Sequence, residues 1–125
     1  MLKENYIDYS EFVSKAVAQD KLNKFAKCDG ELSFIPIEAR EFYQNFDPVD
    51  VEIGMNGSSV KLYPVSELIE LQKEYDYLHV QFVFATCNGD PIFLHQDKIY
   101  MCAHGVNTPK WEKLADSWIS FFSSF

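Results

Sequence analysis

Residues 84–94 read Phe-Ala-Thr-Cys-Asn-Gly-Asp-Pro-Ile-Phe-Leu, two apolar runs around the strongest turn signal in the chain. Asn88-Gly89 reverses the backbone because both residues tolerate positive φ. Pro91 suits a strand start, where its missing N–H costs no ladder bond. Asp90 is placed to accept backbone hydrogen bonds in the turn. Working outward, Gln81–Thr86, Pro91–His95 and Lys98–Ala103 read as three short strands. The connection Gln96-Asp97 has the length of a two-residue turn but contains no glycine.

Upstream, Val49–Ile53 alternates apolar and acidic residues, as a half-exposed strand does. Asn56-Gly57 turns it back into a strand over Val60–Tyr63, through a loop of two residues or more. Helical spacing appears in four places. From about Ile7 to Lys27 the stripe Tyr9, Phe12, Val13, Ala16, Val17 restarts, displaced, as Ala18, Leu22, Phe25, Ala26. That displacement predicts a bend or break near Asp20, with Gly30 in the left-handed position after the helix. Pro36 opens a second helix bearing Ala39, Phe42, Tyr43 and Phe46 on one face, and Pro48 stops it. Ser66 is the expected N-cap of a third helix, Glu67 suits its dipole, and Leu68, Leu71 and Tyr75 form its buried side. A last helix runs from Ala115 to about Ser124, capped by Asp116 or Ser117, with Trp118, Ile119, Phe122 and Phe125 apolar. This order predicts an α+β fold: a mainly antiparallel sheet of about five to six strands with helices packed against it, one domain over residues 1–125.

Nearly half of the 125 residues are hydrophobic, eleven of them Phe and seven Tyr, enough to build a core. No apolar run approaches a membrane span, and the first residues lack the apolar stretch of a signal peptide. Three cysteines, Cys28, Cys87 and Cys102, point to reduced thiols and a cytoplasmic protein rather than a disulfide framework. The net charge of −8 is concentrated. Between Asp29 and Asp76 lie eleven acids against three bases (Arg40, Lys61, Lys73), so the rest of the chain is neutral. Such a segment repels phosphate backbones, which argues against direct nucleic-acid binding, and suits a basic protein partner.

Motifs for catalysis are lacking. There is no Gly-x-Ser-x-Gly elbow and no phosphate-cradling glycine loop, and no cysteine sits at a helix start. The soft ligands Cys87, Cys102, His79, His95 and His104 lack zinc-site spacing, so core thiols and surface histidines are the expected reading, with no metal or cofactor. A polar pocket around His95, Cys102 and His104 would instead favour a small-molecule binder. Trp111 and Trp118 are expected in the core or at its edge. Tyr43, Tyr75 and Tyr77 remain candidate anchors for a protein partner.

The stretch from Gln81 onward resembles the SUKH superfamily, which includes yeast cell-wall-assembly regulators and many bacterial toxin-immunity proteins. The residues that carry the resemblance are Phe82-Val-Phe-Ala, Asn88-Gly-Asp-Pro, Ile92-Phe-Leu, Gln96-Asp, Ile99-Tyr, His104-Gly105, Trp111 and Ala115-Asp-Ser-Trp118. Upstream, the Pro36 helix and Leu62-Tyr63 followed by Ser66-Glu67-Leu68 are similar to further family elements. Asn45-Phe-Asp-Pro departs from the Asn-Gly-Gly-like loop common in the family. The resemblance implies a non-enzymatic binding domain. In bacteria that means an immunity protein that binds and neutralises a cognate nuclease- or deaminase-type toxin; the alternative is a regulatory or scaffold module binding a host protein. It carries over no catalytic residues. The charge clustering makes Glu38, Glu41, Asp47, Asp50, Glu52, Glu70 and Glu74 the candidate partner contacts, on a monomer or weak homodimer.

Overall fold

A computed structural model describes residues 2–76, 81–106 and 109–125, with side chains described from Tyr9 onward. Its helices are α1 (Leu2–Gln19), α2 (Ile37–Asn45), α3 (Val65–Glu74) and α4 (Trp118–Ser123). Its strands are β1 (Lys24–Ala26), β2 (Asp47–Met55), β3 (Ser58–Leu62), β4 (Phe82–Cys87), β5 (Asp90–His95), β6 (Lys98–Met101) and β7 (Glu112–Ala115). The strands form one antiparallel sheet in sequence order, β1 to β7. The α+β class expected from the sequence holds, with seven strands rather than five or six.

Three hairpins use tight two-residue turns with both central residues at positive φ: Asn56-Gly57 (51°, 83°), Asn88-Gly89 (53°, 85°) and Gln96-Asp97 (49°, 71°). This geometry matches the right-handed twist of the flanking strands. β4 carries a bulge between Val83 and Ala85 and is buried at all six positions. Beyond the last β3–β4 pair, Leu62–Ala85, a side chain continues the pairing. The Gln72 amide donates to the Val83 carbonyl (2.7 Å) and accepts from the Val83 N–H (2.8 Å), fastening α3 to β4.

The core is a layer of aromatic rings between α1, α2, α4 and the sheet. Phe42 stacks on Phe122 at 4.6 Å, Phe12 meets Phe122 edge-on at 4.9 Å, and Trp118 lies 4.6 Å from Phe84. Tyr9, Tyr43 and Phe121 complete it. On the sheet's other face, by strand alternation, Phe93 stacks on its cross-strand partner Tyr100, with Trp111 edge-on to Phe93 at 4.9 Å.

Several expectations need correction. The first helix ends at Gln19, not near Lys27. Asp20 Oδ1 accepts from Leu22 N–H, and buried Asn23 bonds Ala16 C=O and both the N–H and C=O of Glu52. The displaced stripe from Ala18 to Ala26 is therefore a helix end plus β1, and Gly30 is a loop residue without positive φ. Pro48 does not separate helix from strand; it pairs with Phe25 inside β2. Pro64, not Ser66, holds the N-cap position of α3, and Asp47 from β2 accepts the Val65 N–H at 2.9 Å. β6 stops at Met101, short of Ala103. The last helix begins at Trp118, because Glu112–Ala115 pairs as β7. Of its two candidate caps, Ser117 is used, in a reciprocal capping box with Ser120.

Candidate functional site

The seven acidic candidates do not share one surface. Glu38 and Glu41 line one groove, and Asp50 and Glu52 line another concavity. Asp47 is half-buried and occupied as the distant cap of α3. Burial raises its pKa, against the opposing pull of the Val65 N–H. Glu70 pairs with Lys73 at 3.3 Å on an exposed helical turn, a contact of little energetic weight. Glu74 is exposed at the end of α3.

The first groove encloses about 500 Å³ and is assembled from four elements. The opening turn of α2 supplies Ile37 and Glu38, with Glu41 one turn further. The start of α4 supplies Ser117, Trp118 and Ile119. α1 contributes Tyr9, and the β5–β6 turn contributes Asp97. Local structure explains this convergence. Pro36 fixes the entry to α2, the Ser117–Ser120 box fixes the entry to α4, and a positive-φ backbone holds Asp97 outward at the hairpin tip. Three carboxylates thus face a wall containing an indole and two isoleucines, and none of the described lining residues is basic. Arg40, next to Glu41 in the sequence, is directed elsewhere: its guanidinium donates to Ile35 C=O (2.7 Å) and Ser33 C=O (3.1 Å). Ile37 stands 75% exposed at the rim.

The second concavity, of about 420 Å³, lies where α1 ends against β2 and β3. It gathers Asp20, Asp50 and Glu52 with Gln19, Asn23 and Ser59. Its polar groups are largely engaged. Ser59 donates to Glu52 Oε1, Gln19 Oε1 accepts from Gly54 N–H, and Asn23 bridges α1 to β2. Leu22, 70% exposed, lines it too.

The Asn88-Gly89-Asp90-Pro91 turn is committed to structure. Tyr75 Oη donates to Gly89 C=O at 2.7 Å, and Asp90 Oδ1 accepts from His104 N–H at 3.0 Å. The His104 ring also meets Asp90, with Nδ1 2.7 Å from Oδ1. So Asp90 fastens the loop after β6 rather than bonding within its own turn. His95 sits apart, against Gln81 at 3.3 Å and edge-on to Trp111. Cys102 is buried, and burial together with nearby Asp90 raises its thiol pKa. All three cysteines are free thiols. Among the described residues no group of three or more His, Cys, Asp or Glu is arranged to hold a metal ion. His79 and Tyr77 lie outside the described residues.

The aromatic expectations divide. Trp118 is core, and Trp111 is at the core edge, 39% exposed. Tyr43 is fully buried, which removes it as a surface anchor. Sequence reasoning found Glu38 and Glu41 but missed Asp97, Ile37, Trp118 and Ile119 as their neighbours. The one signal for Asp97 was a two-residue turn without glycine. The chain matches no protein-family model, no curated protein and no solved structure. No helix among the described residues is long and apolar enough to cross a membrane.

Proposed function

We propose that the protein is a non-enzymatic, SUKH-like binding domain, and that it serves as a cytoplasmic immunity protein that neutralises a basic nuclease- or deaminase-type toxin. One observation carries this reading: the groove at the start of α2 and α4 joins three carboxylates to an exposed apolar rim and has no cation in its lining among the described residues. A desolvated apolar contact ringed by one sign of charge is suited to a protein of the opposite sign, which it attracts from a distance and then anchors. The acidic concavity beside β2 adds to the same field. Occupying the toxin's basic substrate channel would block its chemistry without any reaction on the immunity side.

The reading is tested by affinity capture from the host cell, followed by co-expression of the captured protein with and without this chain. The expected result is a basic partner that is toxic alone and harmless when co-expressed. Capture of a non-toxic host protein in its place would favour the regulatory or scaffold role.

A further inference from the structure

We infer that the cavity where β4 begins and β5 ends binds an amino-bearing nucleobase, free or as its nucleoside. The class is a planar ring with an amino group beside an unprotonated ring nitrogen, the edge that adenine and cytosine share. The inference goes beyond the protein-binding reading and does not depend on it.

The cavity encloses about 380 Å³, within the usual range for small ligands. It forms where Gln81 and His95, which flank the cross-strand pair Phe82–Leu94, meet the loop before α2. Phe82 and Leu94 are 7% and 5% exposed and supply apolar surface, and Phe34 of the loop, 39% exposed, adds a ring on which a base can stack. His95 therefore lines a cavity, but Cys102 and His104 do not line it with His95.

The polar lining sets this cavity apart. In the concavity beside β2 the polar groups are consumed by the fold, as Gln72 is here by Val83. The side chains of Gln96 and Glu38, by contrast, make no hydrogen bond or ion pair with any described residue. The Gln81 amide nitrogen donates to His95 Nδ1 at 3.3 Å, which places the neutral ring's proton on Nε2. Trp111 packs edge-on to the same imidazole at 5.1 Å, so the ring is held from two sides with a donor left over.

These groups match one kind of ring edge. A carboxamide such as that of Gln96 bonds it twice, its oxygen accepting from the amino group and its nitrogen donating to the ring nitrogen. The Glu38 carboxylate only accepts, and takes the amino group's second hydrogen. A ring with a carbonyl in place of the amino group offers no hydrogen there and sets an oxygen against the carboxylate. No lysine or arginine is among the described lining residues, so the site favours the uncharged base over a phosphate.

The probes are adenosine and cytidine, compared with inosine and uridine, in which a carbonyl replaces the amino group. The readout is the His95 ring resonance in a carbon–proton correlation spectrum, assigned by its loss in His95→Gln. At least one of adenosine and cytidine is expected to move it saturably, and its carbonyl counterpart to bind about tenfold or more weakly. Phe34→Ala should weaken the amino nucleoside about tenfold. Glu38→Gln, which can donate to a carbonyl, should bring the two counterparts within about threefold of each other. Both positions are exposed, and both variants should melt at an unchanged temperature. A resonance unmoved by adenosine and by cytidine overturns the inference. So does equal binding of the carbonyl counterparts, or a preference undiminished in Glu38→Gln. No toxin enters this experiment, so its failure would leave the co-expression result standing, and the reverse also holds.

Discussion

The turns at Asn88-Gly89 and Gln96-Asp97 share one backbone geometry and sit at opposite ends of β5, yet they are built from different residues. At the first, glycine takes the more demanding position, and Tyr75, Asp90 and His104 close around it. At the second, two residues with side chains adopt left-handed conformations that cost of order 1 kcal/mol each for such residues. The first turn is the more recognisable in the sequence and is wholly occupied with holding the fold. The second violates the turn preference and presents Asp97 to the groove. Strain retained where a cheaper sequence was open to the fold accords with the site lying at the β5–β6 tip, away from the motif that suggests the family.

The comparison is broken or sharpened by substitution. Gly89→Val should have the largest effect. Its φ of +85° disfavours a side chain, and a Cβ there would lie 3.1 Å from the His104 ring. A loss of about 2 kcal/mol is expected in urea unfolding, with partner binding by the folded fraction unaltered. Tyr75→Phe removes the bond to Gly89 C=O and should cost about 1 kcal/mol by the same measurement. Replacing Gln96-Asp97 by Asn-Gly should do the opposite on both counts. Stability should rise by roughly 0.5–1 kcal/mol, since Asn-Gly is the preferred pair for this turn, while partner affinity falls with the loss of Asp97. A rise in stability with affinity intact would remove Asp97 from the site.

Asp47→Asn gives the smallest effect, and position 47 gives a pH test. Its folded-state pKa is raised, so the folded protein binds that proton more tightly than the unfolded chain. Its ionisation therefore subtracts stability at neutral pH, and the deficit disappears as pH falls through the folded and then the unfolded pKa. Asp47→Asn keeps an oxygen for the Val65 N–H and should equal or slightly exceed the native stability at pH 7, the difference closing toward pH 4. Asp47→Ala loses the cap and should cost about 1 kcal/mol. Neither change should slow partner association, which would separate Asp47 from Glu38 and Glu41.

Much of the fold was legible because its elements are long or sharply punctuated. The Asn-Gly turns, the Pro-led α2 and the apolar strands β4 and β5 each carry a local signal strong enough to stand alone. β1 was hidden because three residues ending in Phe25 and Ala26 continue a helical stripe. What decides them is buried Asn23, whose three backbone bonds tie α1 to β2 across 29 residues of sequence. β7, Glu-Lys-Leu-Ala, is too short for alternation to register. The cap on α3 comes from Asp47, 18 residues away, where only a local cap could be read. The same limit applies to the site. Clustering in sequence grouped seven acids, whereas folding groups two of them with Asp97 and an indole from the other end of the chain.

The central claim is that Glu38 and Glu41 steer and hold a basic partner. Its most direct measurement is the association rate with the captured partner at several salt concentrations, for the native protein and for Glu38→Lys/Glu41→Lys. The native rate should fall steeply as salt rises, and the reversed variant should associate about tenfold or more slowly at low salt with a flatter dependence. Equal rates and equal salt slopes for the two proteins would contradict it.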